Sequence, residues 1–238
     1  MTSTPTVPRP DTLFPLMRHV SVRCTPLLAR LPVSPNHITA ASIVTGLGCG
    51  WVLTHPGWDW QLAGAGLLFL CYILDNCDGE LAVLKDQRSD FGRRFDDFAD
   101  AVVHGAFFIG LGIGHVGATG EQLWFWLGVA AAAGSTFNYF IVVAREIVAH
   151  MRPKPNAVQQ SAPSAPVRQP DTSGPVRPVG AGQWALFIFR ESFRADFCFI
   201  VIALAVIGQT WLLLPAGAVG AQVYWVTHFC KAARKFHS

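Results

Sequence analysis

The sequence predicts an all-α, polytopic membrane protein with six transmembrane helices preceded by a cytosolic amphipathic juxtamembrane helix. Of its 238 residues, 51% are hydrophobic and only 14% are charged, which is too apolar for an ordinary soluble domain. The apolar residues form six segments near the length that spans a bilayer as a helix. The basic residues are confined to alternate stretches between those segments, as loops on one side of a membrane would require.

The elements follow in order along the chain. Residues 1–36 predict an N-terminal tail with an interfacial helix over 12–31, where Leu, Phe, Met and Val mix with Arg. Residues 37–232 are predicted to form the six-helix transmembrane domain, and residues 233–238 a cytosolic tail. Within that domain, 150–183 holds seven prolines among Ser, Gln and Ala, which predicts a flexible cytosolic loop. The predicted spans are 38–54, 61–84, 95–116, 122–144, 196–214 and 216–232.

The distribution of positive charge predicts the topology. All 18 Lys and Arg residues fall in every second stretch between segments. The other loops, around His55–Trp60, His115–Gln122 and a turn at Pro215, contain none. Both termini are therefore expected in the cytosol, with the protein in the inner membrane if the cell is bacterial. The net charge of +3 is explained by topology and gives no indication of a nucleic-acid partner.

Four aspartates interrupt the second and third predicted spans. Asp75 and Asp78 are three residues apart, and Asp96 and Asp100 are four apart, so each pair shares one helix face. A carboxylate inside a span costs about 3 kcal/mol on insertion scales, so a group of them needs a reason. Antiparallel neighbours joined by a short turn would bring the four together, and clustered anions favour a bound divalent cation. Carboxylate oxygens indicate Mg²⁺ or Mn²⁺ rather than zinc.

Neighbouring acids have simpler explanations. Asp97 lies on another face from Asp96, and we expect it to be solvated or ion-paired, as we do Asp86 and Asp90 in the turn. Asp196 is a candidate partner for Arg194. An EF-hand interpretation of the DNCDGE stretch fails because its first ligand position would be Leu74.

The spacing of these residues resembles that of a known family. The chain reads Asp75-x2-Asp78-Gly79-x2-Ala82-Val83-x8-Gly92-x3-Asp96-x3-Asp100, similar to the signature D-x2-DG-x2-AR-x8-G-x3-D-x3-D of the CDP-alcohol phosphotransferase family. Upstream, Pro35-Asn36-x2-Thr39 resembles the family's entry to its first span. Val83 stands where the family has Arg, so Lys85 or Arg88 would have to supply that charge. The resemblance covers roughly residues 12–235 apart from the Pro-rich loop.

That resemblance implies a function. A phosphate-linked group would pass from a CDP-linked donor, most commonly CDP-diacylglycerol, to a polar alcohol with release of CMP, in phospholipid biosynthesis. Mg²⁺ or Mn²⁺, two ions in the family's mechanism, would be held by the four aspartates, and Asp100 would also be the general base. Gly79, Ala82 and Gly92 match donor-binding positions, and Asn36 and Thr39 match a segment that supports them. Membrane lipids and a second copy of the chain, in a homodimer, are the implied partners.

An acceptor needs contacts near the same mouth. Arg145, at the end of the fourth span, and Arg190 and Arg194, before the fifth, are candidates for binding it. Each is equally well explained as a topology signal or a lipid-headgroup contact.

Two other functions remain open at this level. An intramembrane prenyl-diphosphate transferase also uses acids with Mg²⁺, although its usual aspartate-rich spacing is absent. A cation transporter would also place acids in spans, but the internal repeats and broken helices common in such folds are not visible in the sequence.

Overall fold

The computed structural model describes residues 15–151, 196–220 and 222, and within these residues the secondary structure is helical, without strands. The helices in chain order are α1 (Leu16–Ala29), α2 (Pro35–Leu53), α3 (Trp58–Leu84), α4 (Asp90–Thr119), α5 (Leu123–Met151), α6 (Phe197–Val206) and α7 (Thr210–Gly220), the last beginning with a 3₁₀ turn at Thr210–Leu212. This confirms the all-α class. Helices α1 to α5 coincide with the predicted interfacial helix and the first four predicted spans, with boundaries shifted by a few residues.

Local sequence explains where the central helices begin and end. Pro35 occupies the first position of α2, where its missing N–H costs nothing, and the backbone N–H of Ser34 donates to His37 Nδ1 at 3.3 Å. Ser89 caps α4 by accepting from the backbone N–H of Gly92 at 3.0 Å. Helix α4 ends at Thr119 and is followed by Gly120, whose φ of 78° suits a residue without Cβ.

The prediction for the fifth and sixth spans is wrong in its boundary. Helix α6 ends at Val206, and the chain turns through Ile207–Gln209 rather than at Pro215. Gly208 takes a φ of 68° in this turn, a conformation that glycine adopts without strain. Pro215 lies inside α7, at the start of its α-helical part, where proline is tolerated.

The number of spans stays a prediction. Within the described residues, α4 is the helix that combines the length of a span with a sufficiently apolar composition, while α6 and α7 are apolar but shorter. The predicted tail before residue 15, the Pro-rich loop from residue 152 onward, most of the predicted sixth span and the C-terminal tail lie outside the described residues.

Glycines bring α2 and α4 into backbone contact. A Cβ added at Gly110 would lie 2.0 Å from the carbonyl oxygen of Gly50, and one added at Gly114 would lie 2.1 Å from that of Leu53. A similar approach joins α4 to α5, since a Cβ at Gly128 would lie 2.5 Å from the Phe108 carbonyl oxygen. Small residues at such crossings let helices approach closely, which fixes their relative position by van der Waals contact.

Helix α1 is attached to the bundle by polar contacts. The Asp196 carboxylate accepts hydrogen bonds from the backbone N–H groups of Leu16 and Met17, both at 2.9 Å, and so caps a helix far away in sequence. Further along, the Ser21 and Thr25 hydroxyls lie 2.7 Å and 2.5 Å from the two carboxylate oxygens of Glu80 on α3. The partner of Asp196 is thus the α1 N-terminus, and the predicted partner Arg194 lies outside the described residues.

Candidate active site

The motif residues meet where α2 begins, α3 ends and α4 begins; this region is called the acidic end below. Asn36 and Gly92 approach each other there, because a Cβ added at Gly92 would lie 3.3 Å from the Asn36 side-chain oxygen. Glycine at this position therefore lets the first turns of α2 and α4 come together.

The four motif aspartates lie at this end. Across the interface of α3 and α4, the carboxyl groups of Asp75 and Asp96 are close neighbours that interact directly. Asp75 is also close enough to Asp78 and Asp100 for the charges to interact. The structure therefore brings together the two pairs that the sequence places on separate helices.

Asp78 is held by the start of α2. Its side chain is buried, and it accepts a hydrogen bond from the Thr39 hydroxyl, which is also buried. The Thr39 hydroxyl lies 3.3 Å from the Pro35 carbonyl oxygen as well, one turn earlier on the same helix. Thr39, predicted to support the donor site, is thus in contact with a predicted metal ligand and orients its carboxylate.

The aspartate oxygens are the kind of ligand that a hard divalent cation prefers, but they are not arranged around a common point. Two carboxyl groups in contact, as Asp75 and Asp96 are, repel when both are ionised, and a cation or a proton between them relieves that repulsion. Oxygen donors suit Mg²⁺ or Mn²⁺. Over the described ranges, however, no three acidic, His or Cys side chains are arranged as a ready metal site. Binding would require the aspartate side chains to converge further.

The small motif residues border open space. Gly79 is exposed, and a Cβ placed there would meet no heavy atom within 4 Å, while Ala82 one turn on is half-buried. Space beside Asp78 is what a bulky nucleotide would need. This open space is compatible with the predicted donor site.

The charge expected in place of the family's Arg does not come from Lys85 in this conformation. The Lys85 ammonium group donates to the carbonyl oxygens of Leu31 and Val33, at 3.0 Å and 2.7 Å. It therefore joins the end of α3 to the linker between α1 and α2. Val83 is 49% exposed, and Arg88 is exposed in the turn that follows α3.

The acids assigned a surface role behave as predicted. Arg93 lies 3.7 Å from Asp97 and 4.0 Å from Asp90, both within α4. Asp86 is exposed in the α3–α4 turn with a φ of 52°. These three acids are solvated or ion-paired and form no part of the Asp75–Asp96 contact.

The predicted acceptor-binding residues stay predictions. The backbone of Arg145 belongs to α5, but its side chain is not among those that the structure describes. Arg190 and Arg194 lie outside the described residues altogether.

Two residues that the sequence left without a role line a pocket next to the aspartates. Tyr72 on α3 and His104 on α4 are joined between the Tyr72 hydroxyl and His104 Nε2 at 3.2 Å. The pocket is lined by Ser42, Cys71, Tyr72, Asp75, Ala99, Asp100, Val103 and His104. The signal available in the sequence was spacing, since His104 follows Asp100, and Tyr72 precedes Asp75, within one helical turn. Glu80 was also missed, because its role in holding α1 depends on tertiary contacts.

Comparison with known proteins identifies the family. The model of a family described as CDP-alcohol phosphatidyltransferase matches residues 32–170, which is more than half of the chain and includes the whole aspartate motif. No curated protein matches the chain. The family match confirms the resemblance seen in the motif.

Proposed function

Because the chain belongs to the CDP-alcohol phosphatidyltransferase family, we propose that it transfers a substituted phosphate group from CDP-diacylglycerol to a polar alcohol in phospholipid biosynthesis. The observation that carries this proposal is the contact between Asp75 and Asp96 across two helices, with Asp78 and Asp100 beside them. Four clustered carboxyl groups next to open space at Gly79 suit a reaction on a diphosphate and have no evident purpose in packing.

The reaction forms one bond to phosphorus and breaks one. The oxygen of the acceptor hydroxyl attacks the phosphorus remote from cytidine, and the bond between that phosphorus and the bridging oxygen breaks. The bridging oxygen leaves with CMP, and the proton of the hydroxyl passes to the Asp100 carboxylate. Asp100 is suited to this role because it lines the pocket and is exposed, so an alcohol can reach it.

The remaining motif residues bind and orient. Asp75, Asp78, Asp96 and Asp100 would hold Mg²⁺ or Mn²⁺, as two ions, which would neutralise the diphosphate and the departing CMP. Thr39 keeps the Asp78 carboxylate in position for this purpose. Gly79, Ala82, Asn36 and Gly92 would leave room for the nucleotide and border it. Arg145, Arg190 and Arg194 would contact the acceptor or an anionic headgroup.

The setting of the reaction is part of the same proposal. The one-sided distribution of Lys and Arg supports six spans with both termini and the acidic end towards the cytosol. The chain would act as a homodimer among membrane lipids. Family membership is the support for this part of the proposal.

A screen of purified protein tests this function. Protein in detergent or vesicles is given CDP-diacylglycerol, CDP-choline, CDP-ethanolamine or CDP-inositol with glycerol phosphate, inositol, inositol phosphate or serine. CMP release is measured with Mg²⁺, with Mn²⁺ and with a chelator. We expect metal-dependent release with CDP-diacylglycerol, reduced by about 10² to 10⁴ in Asp100→Asn.

Two outcomes would contradict the proposal. Full activity in the folded Asp100→Asn protein would show that this residue is not the base. Absence of CMP release with every pair, together with cation uptake into vesicles, would favour the transporter interpretation instead.

A further inference from the structure

A tyrosine and a histidine make a contact beside the aspartates that the reaction as described does not use. Tyr72 is buried on α3, and its hydroxyl lies 3.2 Å from His104 Nε2 on α4. The other ring nitrogen, His104 Nδ1, lies 2.8 Å from the backbone carbonyl oxygen of Asp100. Both side chains line the pocket that also contains the Asp75 and Asp100 side chains.

The partners of His104 determine where its proton lies. A carbonyl oxygen only accepts, so Nδ1 must carry a proton and donate a hydrogen bond to the backbone carbonyl oxygen of Asp100. In the neutral ring, Nε2 then accepts a hydrogen bond from the Tyr72 hydroxyl. The Tyr72 oxygen is left with its lone pairs available, and it can accept a hydrogen bond from a molecule in the pocket.

Tyr72 borders the same pocket as Asp100. If Asp100 takes the proton of the reacting hydroxyl, as the proposed function has it, the Tyr72 oxygen is available for a second donor on the same molecule. We propose that Tyr72, oriented by His104, binds a second hydroxyl or amino group of the acceptor, next to the hydroxyl that reacts. This inference rests on the proposed function and assigns Tyr72 as a binding residue and His104 as a positioning residue.

The test removes either partner of the proposed hydrogen bond. Glycerol phosphate, serine and inositol are each compared with an analogue lacking the neighbouring donor: propanediol monophosphate, hydroxypropionate and a deoxyinositol. For the acceptor that the protein uses, we expect the KM of the analogue to be about tenfold higher than the KM of the acceptor itself in the unaltered protein. In Tyr72→Phe, we expect the acceptor and its analogue to have equal KM values, with the KM for the CDP donor unchanged.

Further variants separate binding from a structural role. His104→Gln should lose part of the same discrimination, since the Tyr72 proton is no longer directed away from the pocket. Tyr139→Phe is the matched control, because Tyr139 packs against Phe98 outside the pocket, and it should discriminate like the unaltered protein. Melting curves with CMP and the acceptor give a second readout, in which Tyr72→Phe should lose the stabilisation that the acceptor adds.

The two proposals fail in different ways. If the unaltered protein releases no CMP from any donor, the proposed function fails. If it releases CMP and Tyr72→Phe still discriminates about tenfold between the acceptor and its analogue, the role of Tyr72 is wrong and the proposed function stands. Should Tyr72→Phe not fold, undiminished discrimination in His104→Gln would overturn the inference.

Discussion

The two ends of the α2–α4 pair are built on opposite principles. At the acidic end, Asn36 lies beside Gly92, and the neighbouring α3 adds a buried aspartate, Asp78, that depends on the Thr39 hydroxyl. At the other end, which we call the glycine-packed end, the backbones touch, and Gly110 leaves no room for a side chain beside Gly50. The same helices therefore carry polar chemistry with adjacent space at one end and close apolar contact at the other.

This difference indicates that the acidic end serves the chemistry and the glycine-packed end holds the helices together. Carboxyl groups in contact repel one another when both are ionised, so contacts elsewhere must keep the helices that carry them together. Close backbone contact at the glycine-packed end can do this, because van der Waals packing of small residues is a main source of helix association where apolar burial gives little advantage. The following predictions test that division, from the largest expected effect to the smallest.

Two adjacent aspartates should differ most in their effect on activity. Asp96 contacts Asp75, whereas Asp97 pairs with Arg93 at 3.7 Å on another face of α4. Asp96→Asn should reduce CMP release by about 10² to 10⁴, the range for a group that stabilises transition-state charge. Asp97→Asn should change it by no more than a few-fold. Equal losses of activity in the two variants would contradict the distinction between Asp96 in the aspartate cluster and Asp97 outside it.

Two glycines of α4 should differ in their effect on stability. Gly110→Ala would put a Cβ 2.0 Å from a backbone carbonyl oxygen, so the helices must separate, at a cost of about 3 kcal/mol. A Cβ at Gly105 would meet no atom within 4 Å, so Gly105→Ala should stabilise the protein by about 1 kcal/mol through helix propensity. Thermal unfolding in detergent measures both. A Gly110→Ala protein as stable as the unaltered one would contradict the role proposed for the glycine-packed end.

The hydroxyl of Thr39 should matter for metal binding. Thr39→Val removes the donor to Asp78, and loss of such an orienting contact costs about 10- to 100-fold in metal affinity. The Mg²⁺ concentration that gives half-maximal CMP release should rise by that factor. Thr39→Ser keeps the hydroxyl and should behave nearly as the unaltered protein does. If valine and serine have the same effect, the Thr39 hydroxyl is not what keeps Asp78 in position for the metal.

The attachment of α1 should respond to a single carboxylate. Glu80→Gln removes an acceptor from one of two hydroxyls, at 2.7 Å and 2.5 Å, and should weaken the docking of α1 by about 1 kcal/mol. Hydrogen exchange of the α1 backbone should then be about fivefold faster. Glu121→Gln, an exposed residue after α4, is the control and should leave α1 exchange unchanged. Unaltered exchange in Glu80→Gln would show that packing or the Asp196 cap holds α1 without this contact.

Much of the helical framework could be read from the sequence because its signals are local. Apolar length predicted α2 to α5, and the spacing of Asp75, Asp78, Asp96 and Asp100 placed each pair on one face. The prediction misplaced the turn between α6 and α7 because Pro215 is a stronger local turn signal than Gly208. Proline is accommodated early in a helix, so its presence alone does not mark a turn.

The sequence by itself determined the helical class, the family and the residue types at the acidic end, since these depend on composition and on fixed spacings along a helix. Only the tertiary structure decided which side chains meet: Thr39 with Asp78, Tyr72 with His104, and Asp196 with the start of α1. Each of these contacts joins residues far apart along the chain. Their pairing depends on how the helices cross, and that crossing is set by close approaches such as Gly50 to Gly110.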